Sequence, residues 1–329
     1  MAVVTSRKDV EPIFDEFRSR GACMAVFCTA SYWNTEAILL AAKRLGEKYN
    51  IPRPVVSVAM TFNYPFMPQC QRVTYSGDPR AGFISLMEHL NVLAASDDAP
   101  YSNVMVLPHL DHADPKLDNW ALTEGVKYLA TVMFDAQKYP AEENLRMTTD
   151  YVRTYGDRIM IEGIVEQLSV EGRAEGALQH AGDTGGRDDY VERATEFMER
   201  TGVDFLVADL GTEQQSARVG EARYMKDRAQ ALTKALGSAR LVLHGTSCLA
   251  REQMTGLAED GIIRVNTWTR IVREAGQFAA EELGKNIGSI RAGEFELADP
   301  RAFIRNAADK AARVMEELME IIGYTQFAE

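Results

Sequence analysis

The chain has 329 residues, 46% of them hydrophobic, enough to bury a large core as either one closed α/β barrel or two smaller domains. A formal net charge of -12 excludes long-range attraction to nucleic acid or to an anionic membrane, so an anionic small molecule must be met by local donors. No apolar stretch approaches the ~20 residues that span a bilayer, and the opening MAVVTSRKDVEPIF lacks the apolar core of a signal peptide. Cys23, Cys28, Cys70 and Cys248 form no CxxC pair and are too sparse for a disulfide scaffold, which reads as a reduced compartment. A soluble cytoplasmic protein is expected.

In chain order, runs rich in β-branched and apolar residues fall at 22–29, 54–62, 104–109, 128–134, 158–165, 205–210, 240–243 and 262–266. Between them lie segments with helical spacing: 35–49 (Ile38, Leu39, Ala42, Leu45), 142–155, 189–201 and 221–236. Alternation of this kind specifies parallel strands joined by crossovers, and eight strands close a (β/α)8 TIM barrel spanning 1–329 as one domain. A doubly wound open sheet is the alternative. The segment 299–324 is amphipathic and helical, with Pro300 in its first turn, and is expected to pack outside the barrel or on a partner subunit of a homodimer or homotetramer. Gly172, Gly176, Gly182, Gly185 and Gly186 punctuate 169–188, which follows the fifth strand and is expected to be a mobile lid.

The chemistry-bearing residues gather at strand ends. Val104–Leu107 runs into Pro108-His109-Leu110-Asp111-His112-Ala113-Asp114, and Leu241–Leu243 runs into His244-Gly245-Thr246-Ser247. Ionisable groups are costly to desolvate without a partner, so a buried strand has no structural use for such clusters. Histidines at the ends of two strands are what a barrel needs to converge metal ligands on one face. Adjacent residues leaving a strand point oppositely unless the backbone bends, so one of Asp111 and His112 faces a metal while the other faces substrate; a helix-capping Asp111 and a surface His112 are the plainer alternative. His109 is expected to pack inside or just behind the site, His89 to be structural, and His180 to sit on the lid. Gly245, Thr246, Ser247, Asn266, Thr267, Trp268 and Thr269 bring small residues, N–H groups and hydroxyls to the two barrel loops that most often hold phosphate.

In their order, these pieces resemble the class II, metal-dependent ketose-bisphosphate aldolase family, typified by fructose- and tagatose-bisphosphate aldolases. The resemblance runs through Asn34-Thr35-Glu36, Leu107–His112, Val132–Asp135, Pro140–Asn144, Thr201–Asp204, Gly211-Thr212, Leu243–Ser247, Val265-Asn266 and Asp299-Pro300-Arg301. It implies a catalytic acid–base role for Asp111, metal ligation by His112 and His244, phosphate binding by Gly245, Ser247 and Thr269, and a place beside the enediolate for Asn266. Zn2+ or another divalent metal is the implied cofactor, and a sugar phosphate the implied small-molecule partner. The chain departs from the family pattern where Gln214 replaces the third zinc histidine, Trp268 an aspartate and Thr246 a glycine. Glu162 or Glu166 is a candidate replacement ligand, and Glu171 or Glu175 a candidate lid acid.

The activity implied is that of a lyase: reversible aldol cleavage of a phosphorylated ketose through a metal-stabilised enediolate. A sugar-phosphate isomerase or epimerase on the same fold, or a non-catalytic descendant that binds a sugar phosphate, are the alternatives.

Overall fold

Strands whose side chains are buried on both faces need partners on both sides, and this chain provides them by closing a ring. The computed structural model describes residues 2–166, 168, 189–216, 219–220 and 224–329. Eight parallel strands pair in sequence order: β1 (Met24–Cys28), β2 (Val55–Thr61), β3 (Met105–Ala113), β4 (Thr131–Phe134), β5 (Met160–Ile164), β6 (Phe205–Val207), β7 (Leu241–Leu243) and β8 (Ile262–Thr267). Pairing of β1 with β8, from Met24↔Arg264 to Phe27↔Thr267, closes the barrel and overturns the open-sheet alternative.

The helices are α1 (Arg7–Arg20), α2 (Tyr32–Tyr49), α3 (Pro79–Ala94), α4 (Asn119–Thr123), α5 (Ala141–Tyr155), α6 (Tyr190–Thr201), α7 (Lys226–Leu236), α8 (Arg251–Met254), α9 (Thr269–Lys285), α10 (Ile287–Arg291), α11 (Phe295–Ala298) and α12 (Pro300–Ile321). Local chemistry sets several ends. The Ser31 hydroxyl accepts from Asn34 N–H at the start of α2, and the Asp78 carboxylate accepts from Ala81 N–H at the start of α3. Gly202 and Gly237, both left-handed, end α6 and α7.

Each strand agrees with its expected range to within two residues except at three boundaries. β3 continues past His109 to Ala113, because Thr61↔Asp111 extends its pairing with β2. β4 begins at Thr131, since Gly125–Tyr128 makes a 3-10 turn, and β6 ends at Val207. The glycine-rich segment 169–188, with Glu171, Glu175 and His180, lies outside the described residues.

The N-terminal end of the barrel is plugged by α1. Its Phe14 is fully buried with its ring 4.6 Å from that of Phe205, and Arg7 donates to the carbonyl of Gly156 (2.8 Å) and pairs with Asp204. The C-terminal helix α12 lies against α2 and α9 on the outside of the barrel. Arg44 and Lys48 of α2 form ion pairs with Asp309, Glu316 and Glu320 of α12. Just beyond it, the buried Tyr324 hydroxyl donates to Val55 O (2.8 Å) and accepts from Ala25 N–H (3.0 Å), tying the chain end to β1 and β2.

Candidate active site

In a regular strand Asp111 and His112 would point to opposite faces. Here the β3–β4 register shifts between Leu110 and Ala113, and His112 adopts φ 48°. This bulge turns both side chains toward the C-terminal mouth of the barrel. As a result, ligand-capable atoms of Asp111, His112 and His244 lie within 4.8 Å of one another, all from buried residues. A left-handed non-glycine residue costs of order 1–3 kcal/mol and persists only where its surroundings hold it. Two contacts do so: His112 Nδ1 lies 2.8 Å from Asp135 Oδ2, and the Tyr64 ring stacks on the imidazole at 4.3 Å with a 10° interplanar angle.

Facing a carboxylate oxygen, His112 Nδ1 donates, and Nε2 keeps its lone pair for a ligand. Asp135 is itself held by the Gln137 side-chain amide (2.8 Å) and the Gln137 N–H (3.2 Å). His244 packs edge-on to His112 at 5.0 Å, and its backbone carbonyl accepts from the Thr212 hydroxyl (2.7 Å). Its Nε2 is buried without a hydrogen-bond partner among the described residues.

Burial pushes the pKa of His244 down to about 3, against the pull of Asp111, so this imidazole is neutral. Burial opposes ionisation of Asp111, but His112, His109 and His244 outweigh it and hold its pKa well below the usual carboxylate range. Burial likewise opposes protonation of His112, yet Asp111 and Asp135 raise its pKa overall. Two imidazoles, one with an orphaned nitrogen, are donors that fit a divalent metal taking nitrogen ligands, and the ionised carboxylate stands beside them.

The same pocket collects residues from six strand ends, including Cys28, Thr61, Tyr64, Gln214, Gly245, Ser247, Asn266, Trp268 and Thr269. Asn266 Nδ2 approaches Asp111 Oδ1 at 3.4 Å, while its Oδ1 is buried without a described partner. Gly245 has φ 68°, and a Cβ there would meet the Glu213 backbone at 2.9 Å, so only glycine fits. The Thr246 hydroxyl donates to Asn266 O (2.7 Å) and meets Thr267 Oγ1 (2.8 Å), and so ties the loop after β7 to β8. Trp268 packs on Val26, Cys28 and Ala59, forming an apolar wall. Gln214 faces the pocket with its Oε1 3.4 Å from the Tyr64 hydroxyl.

The structure therefore brings Asp111, His112, His244, Asn266, Gly245, Ser247 and Thr269 to one place, with Gln214 beside them. It puts the two glutamates elsewhere. Glu162 is fully buried inside the barrel and pairs with Arg264 at 2.5 Å, and Glu166 pairs with Arg193 at 3.3 Å. His89 sits on α3 with its ring edge-on to Tyr32, at 4.9 Å. Asp135 and Tyr64 carry parts of the site that the sequence reading did not assign. An acidic residue at the end of the strand next to a histidine-bearing one was the available signal for Asp135; Tyr64, in an irregular loop, gave none.

A family model described as class-II fructose-bisphosphate aldolase matches residues 8–326. A fructose-bisphosphate aldolase of Streptococcus pyogenes serotype M3 is 25% identical over 327 residues, covering 98% of each chain. One from Thermus caldophilus is 30% identical over 251 residues, covering 68% of this chain and 76% of that one. A crystal structure of the Campylobacter jejuni fructose-bisphosphate aldolase superposes with a TM-score of 0.76 at 19% identity, covering 98% of this chain and 95% of that one, a likeness of fold. The order of motifs, the closed barrel and the match over nearly the whole length lead to one conclusion: the chain belongs to the class II fructose-bisphosphate aldolase family.

Proposed function

We propose that this site carries out the family's reversible aldol cleavage on a phosphorylated ketose, with Asp111 as the acid–base and His112 and His244 as metal ligands. The observation that supports it most is the bulge in β3, which turns Asp111 and His112 into the same pocket as His244. A bound divalent cation, zinc in this reading, supplies a Lewis acid that polarises the ketone and offsets the charge left when the carbon–carbon bond breaks.

The protein's own groups do the rest. In cleavage, ionised Asp111 accepts the proton of the hydroxyl that becomes the aldehyde carbonyl, and in condensation it returns that proton to the aldehyde oxygen. Asn266 presents a side-chain N–H to the carbon fragment carrying the new charge, and its Oδ1, without a partner among the described residues, can accept from a substrate hydroxyl. Gly245, Ser247 and Thr269 offer N–H and hydroxyl donors for the phosphate, which suits a chain whose overall charge repels anions. Trp268, with Tyr64 and Met67, makes part of the pocket wall apolar and favours a substrate with a less charged distal end than a bisphosphate. Four buried free thiols agree with a reducing cytoplasm.

The test is release of aldehyde from a panel of phosphorylated ketoses by protein purified without chelator. Metal-dependent cleavage of at least one ketose phosphate, abolished in Asp111→Ala with metal content retained, is expected. Epimerisation or isomerisation of the panel without cleavage would overturn the reading.

A further inference from the structure

Three fully buried ionisable side chains stand one layer deeper than Asp111 inside the barrel, and the reaction described above uses none of them: His109, Glu162 and Arg264. His109 precedes Asp111 by two residues on β3, so both face inward. Its Nδ1 lies 2.8 Å from Thr131 Oγ1. Its Nε2 lies 3.8 Å from Asp111 Oδ1 and 3.8 Å from Glu162 Oε2, with no hydrogen-bond partner among the described residues. An orphaned buried nitrogen in a native fold calls for a reason.

The chemistry of its neighbours assigns the proton. Nε2 faces two carboxylates, and an imidazole lone pair aimed at them would be repelled. Nε2 therefore carries the hydrogen, and Nδ1 accepts from the Thr131 hydroxyl. The two carboxylates are not equal claimants. Glu162 Oε2 has no hydrogen-bond partner of its own among the described residues, but the charge of this carboxylate is offset by Arg264, whose Nη1 lies 2.5 Å from Oε1 and whose Nη2 donates to Ser57 Oγ at 3.2 Å, under the rings of Phe14 and Phe205 at 5.7 and 5.9 Å. Asp111 faces no lysine or arginine within ion-pair distance among the described residues; its other contacts are Cys28 Sγ at 3.7 Å and Asn266 Nδ2 at 3.4 Å.

We propose that His109 is a positioning residue for the aldol reaction, steadying the Asp111 carboxylate from behind with its Nε2–H, while Thr131 and the Glu162–Arg264 pair hold the imidazole in place. The inference rests on Asp111 being the acid–base. A carboxylate free to turn about its last bond spends much of its time off the line of proton transfer, and a misplacement of ~1 Å costs on the order of 100-fold in rate.

The experiment compares wild type with His109→Leu, His109→Gln and Thr131→Val, measuring kcat and KM for the cleaved ketose phosphate and zinc affinity against a competing chelator. It also reads the tautomer of His109 from imidazole 15N shifts. His109→Leu is expected to lower kcat about 10- to 100-fold, with KM and zinc affinity within about 2-fold. Glutamine places an N–H roughly where Nε2–H lies, so His109→Gln is expected to recover most of kcat. Thr131→Val changes shape little; it is expected to give a smaller loss and to mix the tautomers, while wild type shows Nε2–H alone. Wild-type kcat in His109→Leu, a parallel loss of kcat and zinc affinity, or an Nδ1–H tautomer in wild type would overturn the proposal. Failure of wild type to cleave any ketose phosphate counts against the function proposed above, whereas the tautomer and the variant-to-wild-type ratios decide the part played by His109.

Discussion

The two ends of the barrel treat their polar groups in opposite ways. At the N-terminal end the Asp204 carboxylate is bound by Arg7 and by Ile161 N–H at 2.8 Å, and Arg240 donates to the carbonyls of Asp204 (2.8 Å) and Val203 (2.7 Å). At the C-terminal end His244 Nε2, Asn266 Oδ1 and Trp268 Nε1 are buried without partners among the described residues. Buried polar groups are normally paired, so the paired cluster around Asp204 is built for stability, and the mouth, with its spare donors and acceptors, is built to be completed by a ligand. The contrast explains how one fold can be rigid and still hold the desolvated, partly unsatisfied cluster that metal-dependent proton transfer requires.

Substitutions at the two ends should therefore fail differently. The largest effect is expected at the mouth: Asp111→Ala should lower kcat by about 10²- to 10⁴-fold with no loss of melting temperature or metal content. A variant that unfolds, or one that keeps wild-type turnover, would erase the distinction. Inside the barrel the expected failure is in folding. Glu162→Leu leaves Arg264 buried and uncompensated and should cost about 3–5 kcal/mol in a urea titration, whereas the double change Glu162→Leu, Arg264→Met should regain most of it.

Two left-handed glycines sharpen the comparison at smaller magnitude. Gly237 (φ 73°), at the foot of α7, has open space around its missing Cβ, so Gly237→Ala should cost only about 1–2 kcal/mol with unchanged kinetics. Gly245→Ala adds the collision with Glu213, so it should also move the loop after β7 and raise KM for the phosphorylated substrate. Equal kinetics for the two variants would mean that the Gly245 loop does not touch substrate. The smallest change expected is a gain: Gln214→His should raise zinc affinity by about 10-fold, because imidazole is a better zinc ligand than an amide oxygen. Equal affinity in chelator competition would mean that Gln214 does not face the metal.

Much of the molecule was legible in the sequence because its signals are local. The eight strands are runs rich in apolar and β-branched residues, and Asp111, His112 and His244 announced themselves by placing ionisable groups at strand ends. What could not be read depends on neighbours distant in the chain. Strand alternation predicts opposite directions for Asp111 and His112; the bulge that reverses this is set by the pairing with β4 and held by Asp135 and Tyr64. Glu162 looked like a spare metal ligand because its partner Arg264 lies about a hundred residues further on. A charged residue within a strand buried on both faces was the one clue to that pair, and it names a need for a partner without saying which.

The most direct test of the central claim is the metal content of protein purified without chelator, compared with His112→Ala and His244→Ala and read beside aldol cleavage. The account predicts about one equivalent of divalent metal per chain in wild type, with metal and cleavage lost together in either variant. Full cleavage by metal-free wild type, or full metal content in both histidine variants, would contradict it.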